Sequence, residues 1–264
     1  MHCMRSNRGG FLRDSGGRTD MNAKGGKDLK TLTIDIGGSG IKAFVLDEKG
    51  NPITERARLK TPRPALPQPI LKVISKLAEK QGEFDRVSIG FPGVVLHGVT
   101  HTAPNLDPSW TGFNLAEEVS SKLGRPVRVA NDADIQGYGV IEGSGVELVI
   151  TLGTGMGSAL FTDGVLVPNL ELAHHPYDGE RTYEQYLGRR ALDEVGKKEW
   201  SRRVLKVVDR LRALFNYDHL YFGGGNAKKI RLELPPSVSR VHNLAGLLGG
   251  IALWKSVESK EESS

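Results

Sequence analysis

Apolar and polar positions alternate over Leu32-Thr33-Ile34-Asp35-Ile36, the period of a β-strand. The run breaks at Gly37-Gly38-Ser39-Gly40 and resumes from Ile41 to Leu46. A turn at Glu48-Lys49-Gly50-Asn51 leads to a third strand, Ile53 to Leu59. The pattern is a β-meander whose first bend is a glycine loop. Thr61 to Pro69 holds four prolines and reads as an extended loop. Ile70, Val73, Ile74 and Leu77 then recur at helical spacing. Val87 to Phe91 is a strand ended by Pro92-Gly93, and Val94 to Thr102 a strand pair or extended run. Asn114 with Glu117 three residues on forms a capping box for a helix bearing Leu115, Val119 and Leu123.

Val127 to Val129 is a short buried strand, and Gly137, Tyr138, Val140 and Ile141 mark a helix after it. Glu147 to Leu152 is an apolar run that ends in Gly153-Thr154-Gly155-Met156-Gly157. Ser158–Thr162 and Val165–Val167 flank Asp163-Gly164, a hairpin signal. Strand, glycine turn, strand, turn, strand thus occurs near residues 31–60 and again near 147–168, an internal duplication. Tyr183–Val195 and Val204–Phe215 have helical periodicity. His219 to Phe222 is a strand opening onto Gly223-Gly224-Gly225-Asn226, and Leu244, Leu247, Leu248 and Ile251 mark a closing amphipathic helix.

Composition narrows the class. With 38% hydrophobic and 25% charged residues, the 264-residue chain can build a soluble core. No apolar run reaches the ~20 residues that span a bilayer. Residues 1–30 hold seven basic and three acidic side chains, a net +4 of the chain's +5. That stretch reads as a disordered basic leader without a secretory apolar region, and Met21 inside it is an alternative start. The remainder is close to neutral, so the charge gives no case for nucleic-acid binding. Cys3 is the one cysteine, which excludes internal disulfides and a cysteine zinc site and fits a reducing, cytoplasmic setting.

Candidate chemistry gathers at three places. Ala130-Asn131-Asp132-Ala133-Asp134 lies where a strand gives way to a helix. Ligands of open α/β sheets bind at carboxyl ends of strands. A carboxylate there can take a hydroxyl proton, while Asn131 or Asp132 can equally serve as a helix cap. Asp134 reads as a first-turn acid favoured by the helix dipole. The loop at Gly37, Gly38, Ser39 and Gly40 can turn backbone N–H groups toward phosphate, or be a tight turn only. Asp35 could hold Mg²⁺ through waters and Lys42 add charge. Thr151, Gly153, Thr154 and Gly155 form a second such loop, and Gly223-Gly224-Gly225 is a third point of close backbone approach. His174 and His175 lack the spacing of a metal site. Lys197, Lys198, Arg202, Arg203, Lys228, Lys229 and Arg231 are a solvated face or a polyanion track.

Taken together, Asp35-Ile36-Gly37-Gly38-Ser39, Pro104-Asn105, Asn131-Asp132-Ala133, the second glycine loop, Glu171-Leu172-Ala173-His174 and Gly223-Gly224-Gly225 resemble the ROK family of sugar kinases. The resemblance covers about residues 31–255 and is nearest the polyphosphate or ATP glucokinase branch. It implies an α/β fold of two ribonuclease-H-like lobes of the actin, hexokinase and Hsp70 type, with the active site between them. The lobes would span 31–131 and 132–264, the last helix packing back on the first. It implies phosphoryl transfer from polyphosphate or ATP, with Mg²⁺, to the 6-hydroxyl of glucose.

By position, Asp132 would be the general base; Gly93, Asn105, Asn131, Glu171 and His174 would border or bind the sugar. Asp35, Gly37, Gly38, Ser39 and Lys42, with Thr151, Gly153, Thr154 and Gly155, would hold phosphates. Gly224, Gly225 and Asn226 would lie near a nucleoside or along a polyphosphate chain. A homodimer is implied, without membrane or nucleic-acid partners. The sequence departs from the family at Ala173, which leaves mannose or an N-acetylated sugar as alternatives. The family's zinc cysteines are replaced by Pro176-Tyr177-Asp178-Gly179, so no metal site is expected in the protein. A sugar-responsive regulator is the other alternative, but residues 1–30 lack the apolar periodicity of a helix-turn-helix.

Overall fold

Two five-stranded sheets carry the chain, and both follow the same strand order. The computed structural model describes residues 28–104, 106–241 and 249–254. In the first sheet β1 (Thr31–Ile36), β2 (Ile41–Leu46) and β3 (Ala57–Leu59) form the antiparallel meander. After α1 (Pro67–Gln81), β4 (Arg86–Phe91) pairs parallel with β1. Three short strands follow, β5 (Val95–Leu96), β6 (Val99–Thr100) and β7 (Phe113–Asn114), then α2 (Leu115–Leu123). β8 (Val127–Asn131) closes the sheet parallel to β4 and runs directly into α3 (Asp132–Tyr138).

The second sheet repeats this plan. β9 (Val146–Leu152), β10 (Met156–Thr162) and β11 (Val165–Val167) form its meander, the last bend at Asp163-Gly164 with positive φ at both residues. A small hairpin, β12 (Pro176–Asp178) and β13 (Arg181–Thr182), precedes α4 (Tyr183–Leu187) and α5 (Arg189–Phe215). β14 (His219–Gly223) and β15 (Val238–Arg240) complete the sheet in parallel. The orders are β3-β2-β1-β4-β8 and β11-β10-β9-β14-β15, so the internal duplication read in the sequence is a duplicated α/β lobe.

Each lobe has its own core. Ile34, Ile36, Val45 and Ile89 pack against Ile70, Leu71, Ile74 and Leu77 of α1 in the first. Leu148, Ile150, Leu220 and Phe222 pack against Trp200, Val204, Val208 and Leu211 of α5 in the second. Trp110 and Trp200 are fully buried, and each indole N–H donates to a carbonyl, of Ala65 and of Leu187, so neither burial leaves a donor unmet. α3 lies between the sheets. On the C-terminal side Tyr138 meets Phe161 edge-on at 5.0 Å, and a Cβ on Gly137 would come within 2.4 Å of that ring. This tight approach seats Asp132 where the two lobes meet.

Several boundaries differ from the sequence reading. β3 begins at Ala57 rather than Ile53, because the Thr54 hydroxyl takes the Val45 N–H at 2.8 Å and bonds Gln81 in place of strand pairing. α1 begins at Pro67, inside the proposed loop; prolines suit a first helical turn, whose N–H groups have no intrahelical partner. Tyr183–Val195 is divided at Gly188, while the next helix continues through residues 197–203 with one break at Gly196, φ 74°. Buried Trp200 holds that segment helical. The polar face of β1 is not solvated: Thr31 and Thr33 are buried. Residues 249–254 are helical and lie over it, with Ser88 Oγ donating to the Gly250 carbonyl at 2.6 Å and Trp254 Nε1 donating to Ser88 Oγ at 2.8 Å. Leu244, Leu247, Leu248, Asn105 and most of the basic leader lie outside the described residues.

Candidate active site

The bends after β1 and β9 face each other across a cleft of about 440 Å³. Asp35, Gly37, Gly38, Ser39 and Lys42 line one wall, and Thr151, Gly153, Thr154 and Gly155 the other. Asn131 and Asp132 line it between them, with Gly93, Glu171, Ala173 and His174. Residues far apart in sequence converge here because the meanders are duplicated and both bends lie at the ends of central strands.

Side chains from β3 and from the loop after it hold the first bend. Thr61 Oγ1 donates to the Gly37 carbonyl at 2.5 Å, Arg63 Nη2 to that of Gly38 at 2.8 Å and Arg58 Nη2 to that of Ser39 at 3.4 Å. Asp35 and Lys42 are cross-strand partners on β1 and β2, and Lys42 Nζ reaches Asp35 Oδ2 at 2.7 Å. The second bend is held by backbone and by a buried amide. The Arg189 N–H donates to the Thr154 carbonyl at 3.1 Å, and Asn226 Nδ2 to that of Gly153 at 2.6 Å. Asn226, proposed to lie near a donor, is 5% exposed and braces this bend without lining the cleft. Gly224 lines the cleft at φ 81°, where a Cβ would sit 2.4 Å from the Leu152 carbonyl oxygen. Only a residue without Cβ lets this turn press on the end of β9. Gly225 lines an adjoining pocket of about 230 Å³ together with Asp35, Lys42, Arg56 and Asp132.

Asn131 is a helix cap and more. Its Oδ1 accepts the Ala133 N–H at 2.8 Å, while Nδ2 donates to the Gly93 carbonyl at 3.1 Å and to Glu171 Oε1 at 3.2 Å. Asp132, the first residue of α3, faces the cleft. Burial, and then the negative charge of Asp35, push its carboxyl up to about 7, with Glu171 and Asp134 adding to the shift. A carboxylate of that basicity is matched to proton abstraction near neutral pH. Glu171 is also raised, by burial first, against the opposing pull of His174, whose Nε2 lies 3.6 Å from Glu171 Oε2. Asp134 is 1% exposed and also pushed up to about 7 by burial. It is more than a dipole-favoured acid: it lies in the packing between the lobes.

Sequence reasoning missed Arg63, Gln136 and Glu184, all of which line the cleft. Glu184 Oε2 accepts the Met156 N–H at 3.2 Å. It was legible only as a first-turn acid of a helix, and Arg63 only as a residue among prolines. The basic residues 197–203 and 228–231 do not line the cleft; Arg202 pairs with Glu199, and Arg203 stacks on Tyr186 at 4.8 Å. Among the described residues no cluster of three His, Cys, Asp or Glu side chains could hold a metal ion by protein ligands alone.

Comparison with known proteins gives four findings. The family model described as "ROK family" matches residues 31–168. The polyphosphate glucokinase of Mycobacterium tuberculosis (strain ATCC 25618 / H37Rv) is 34% identical over 237 residues, covering 82% of this chain and 88% of that one. The structure of the inorganic polyphosphate/ATP-glucomannokinase from Arthrobacter sp. strain KM superposes with a TM-score of 0.78 at 34% identity, over 86% of this chain and 100% of that one. A ROK family glucokinase from Streptomyces griseus, solved with glucose and AMPPNP, shares the fold at a TM-score of 0.69 and 23% identity, over 85% of this chain and 98% of that one.

Proposed function

Because the chain belongs to the ROK family, we propose that it is a glucokinase, moving a phosphoryl group from polyphosphate or ATP to the 6-hydroxyl of glucose. One observation carries the reading. A carboxylate with its pKa near 7, Asp132, stands in one cleft between two glycine bends from different lobes. Phosphoryl transfer asks for positioning, charge neutralisation and a base at the acceptor, and little else. In this reading Asp132 accepts the 6-hydroxyl proton. Asn131, Glu171, His174 and the Gly93 backbone hold the remaining hydroxyls, with Asn105 as a further ligand. Gly37, Gly38 and Ser39 meet the donor phosphates from one side, and Thr151, Gly153, Thr154 and Gly155 from the other. Gly224 and Gly225 give the donor a surface without side chains.

The residues fit Mg²⁺ in the form that this ion takes with phosphates. Asp35 offers one carboxylate at the cleft, partly neutralised by Lys42, and Mg²⁺ is commonly bound by one or two carboxylates plus waters and phosphate oxygens. Bound there, the ion would neutralise charge on the donor. Among the described residues no helix is long and apolar enough to cross a membrane. The cytoplasmic setting and the homodimer belong to this same reading.

Mannose is the second acceptor to consider. The Arthrobacter relative is named a glucomannokinase, and Ala173 puts a methyl on the cleft wall beside His174. One matrix of assays tests the proposal: ATP, GTP and polyphosphate against glucose, mannose, fructose and N-acetylglucosamine, each with Mg²⁺. Glucose 6-phosphate from polyphosphate or ATP is the expected product. No transfer to any hexose from any donor would overturn it.

A further inference from the structure

The turn that carries Glu171 is fastened to the opposite lobe two residues earlier. Asn169 stands there at φ 60°, in the left-handed region that Asn tolerates better than most residues. Its side-chain amide faces β5. Oδ1 accepts the Val95 N–H at 3.0 Å, and Nδ2 donates to the Val95 carbonyl at 3.0 Å. One side chain thus makes the pair of hydrogen bonds that a neighbouring strand residue would make. The Asn169 N–H donates to Asp134 Oδ2 at 3.3 Å, which holds the loop to α3 from below.

Immediately on both sides of Glu171 the chain is also fixed. Ser158 Oγ donates to the Leu170 carbonyl at 2.5 Å and accepts the Leu172 N–H at 3.2 Å. Glu171 itself meets Asn131 Nδ2, which also holds the Gly93 carbonyl. Gly93 and Val95 are two residues apart. The Glu171 turn is therefore registered to the N-terminal lobe at two neighbouring points, one through Asn131 and one through Asn169.

We propose that Asn169 is a positioning residue for the sugar: it docks the Glu171–His174 turn on β5 and sets the width of the pocket between Glu171 and Gly93. The inference rests on the hexose-kinase reading above. The side chain suits the task because it carries a donor and an acceptor on one planar group, whereas an ionised Asp has no donor and Gly has neither.

Two substitutions test it. Asn169→Gly keeps the left-handed backbone accessible and removes both bonds to Val95. Asn169→Asp keeps the size and removes the donor. The readouts are KM for glucose, KM for the phosphoryl donor, kcat, and hydrogen exchange at the Val95 amide. Asn169→Gly is expected to raise KM for glucose about tenfold, the scale of one or two lost hydrogen bonds. The KM for the donor should stay within about twofold, and the Val95 amide should exchange faster. Asn169→Asp keeps an acceptor for the Val95 N–H but loses the bond to the Val95 carbonyl, so it should raise KM for glucose in the same direction, and it carries the test if the glycine variant does not fold. A glucose KM that stays at the wild-type value, or KM values for sugar and donor that rise together, would overturn the proposal. Wild-type protein that phosphorylates no hexose would instead sink the kinase reading. Unchanged Val95 exchange in Asn169→Gly would sink this one alone.

Discussion

β1 and β9 hold the same place in their sheets, third in the order with an antiparallel neighbour on one side and a parallel one on the other. The bends that leave them are nevertheless built differently. A Cβ on Gly37 would come 2.9 Å from the Gly40 carbonyl oxygen, so the first bend needs glycine for its own closure. A Cβ on Gly153 would meet nothing within 4 Å among the described residues. The fold leaves room at 153, and in the kinase reading a bare backbone there serves the donor phosphates. The fourth strands diverge too. β4 ends at Pro92-Gly93 beside Asn131, whereas β14 ends at Gly223-Gly224 against Leu152. At these matching strand ends the duplicated scaffold has put Asn131 and Asp132 beside the N-terminal sheet and unadorned main chain at Gly224 beside the other.

The largest effect should come from the charged side of this division. Asp132→Asn is expected to lower kcat by roughly 10²–10⁴-fold, the usual worth of a general base. Steady-state turnover with glucose and each donor reads it. In the wild-type protein kcat/KM should climb with pH and level off above about 7, as Asp132 loses its proton. A profile flat from pH 5 to 8 would remove Asp132 from the role.

Asp134 separates burial from catalysis on the same helix. Burial pushes its folded-state pKa up to about 7 from the ordinary aspartate value of 3.8. The native state therefore binds the proton more tightly, and this carboxyl lowers stability as pH rises from about 4 through 7. Asn does not titrate. The stability of Asp134→Asn relative to wild type should thus be most favourable at pH 8 and should fall by roughly 4 kcal/mol toward pH 4. Urea denaturation at several pH values measures this difference. A difference independent of pH would mean that the carboxyl is not protonated in the folded protein.

The glycine contrast gives the smaller effects. Gly37→Ala should cost about 1–3 kcal/mol of stability, since its methyl meets backbone that cannot move aside cheaply. Gly153→Ala should leave the midpoint of unfolding unchanged and raise KM for the donor about tenfold, as a methyl displaces a phosphate from the main chain. If both variants lost stability alike, the two bends would be equivalent and the comparison would fail.

Features legible in the sequence are those set locally. The second hairpin was visible in Asp163-Gly164, because few residue pairs accept positive φ twice. The start of α2 was visible in Asn114 and Glu117, because a cap is written within one turn of helix: Asn114 Oδ1 accepts the Glu117 N–H at 3.2 Å. The duplicated meander followed from two glycine bends after apolar strands. What the sequence did not disclose depends on partners distant in the chain. Thr54 ends strand pairing through a bond to Gln81, 27 residues away. Asn226 braces a loop 73 residues before it, and Asn169 reaches back 74 residues to Val95. Glu184 enters the cleft only because α4 packs beneath the second bend. Composition and spacing carry no record of such meetings, so Asn226 was placed near the donor by resemblance alone and Thr54, Asn169 and Glu184 drew no role.

The most direct measurement is a crystal structure with glucose bound. The account predicts the sugar 6-hydroxyl about 2.6–3.2 Å from the Asp132 carboxylate, within reach of a proton transfer, with the side facing the two glycine bends left open for the donor. Glucose seated with that hydroxyl turned away from Asp132, or bound outside the space between the bends, would contradict it.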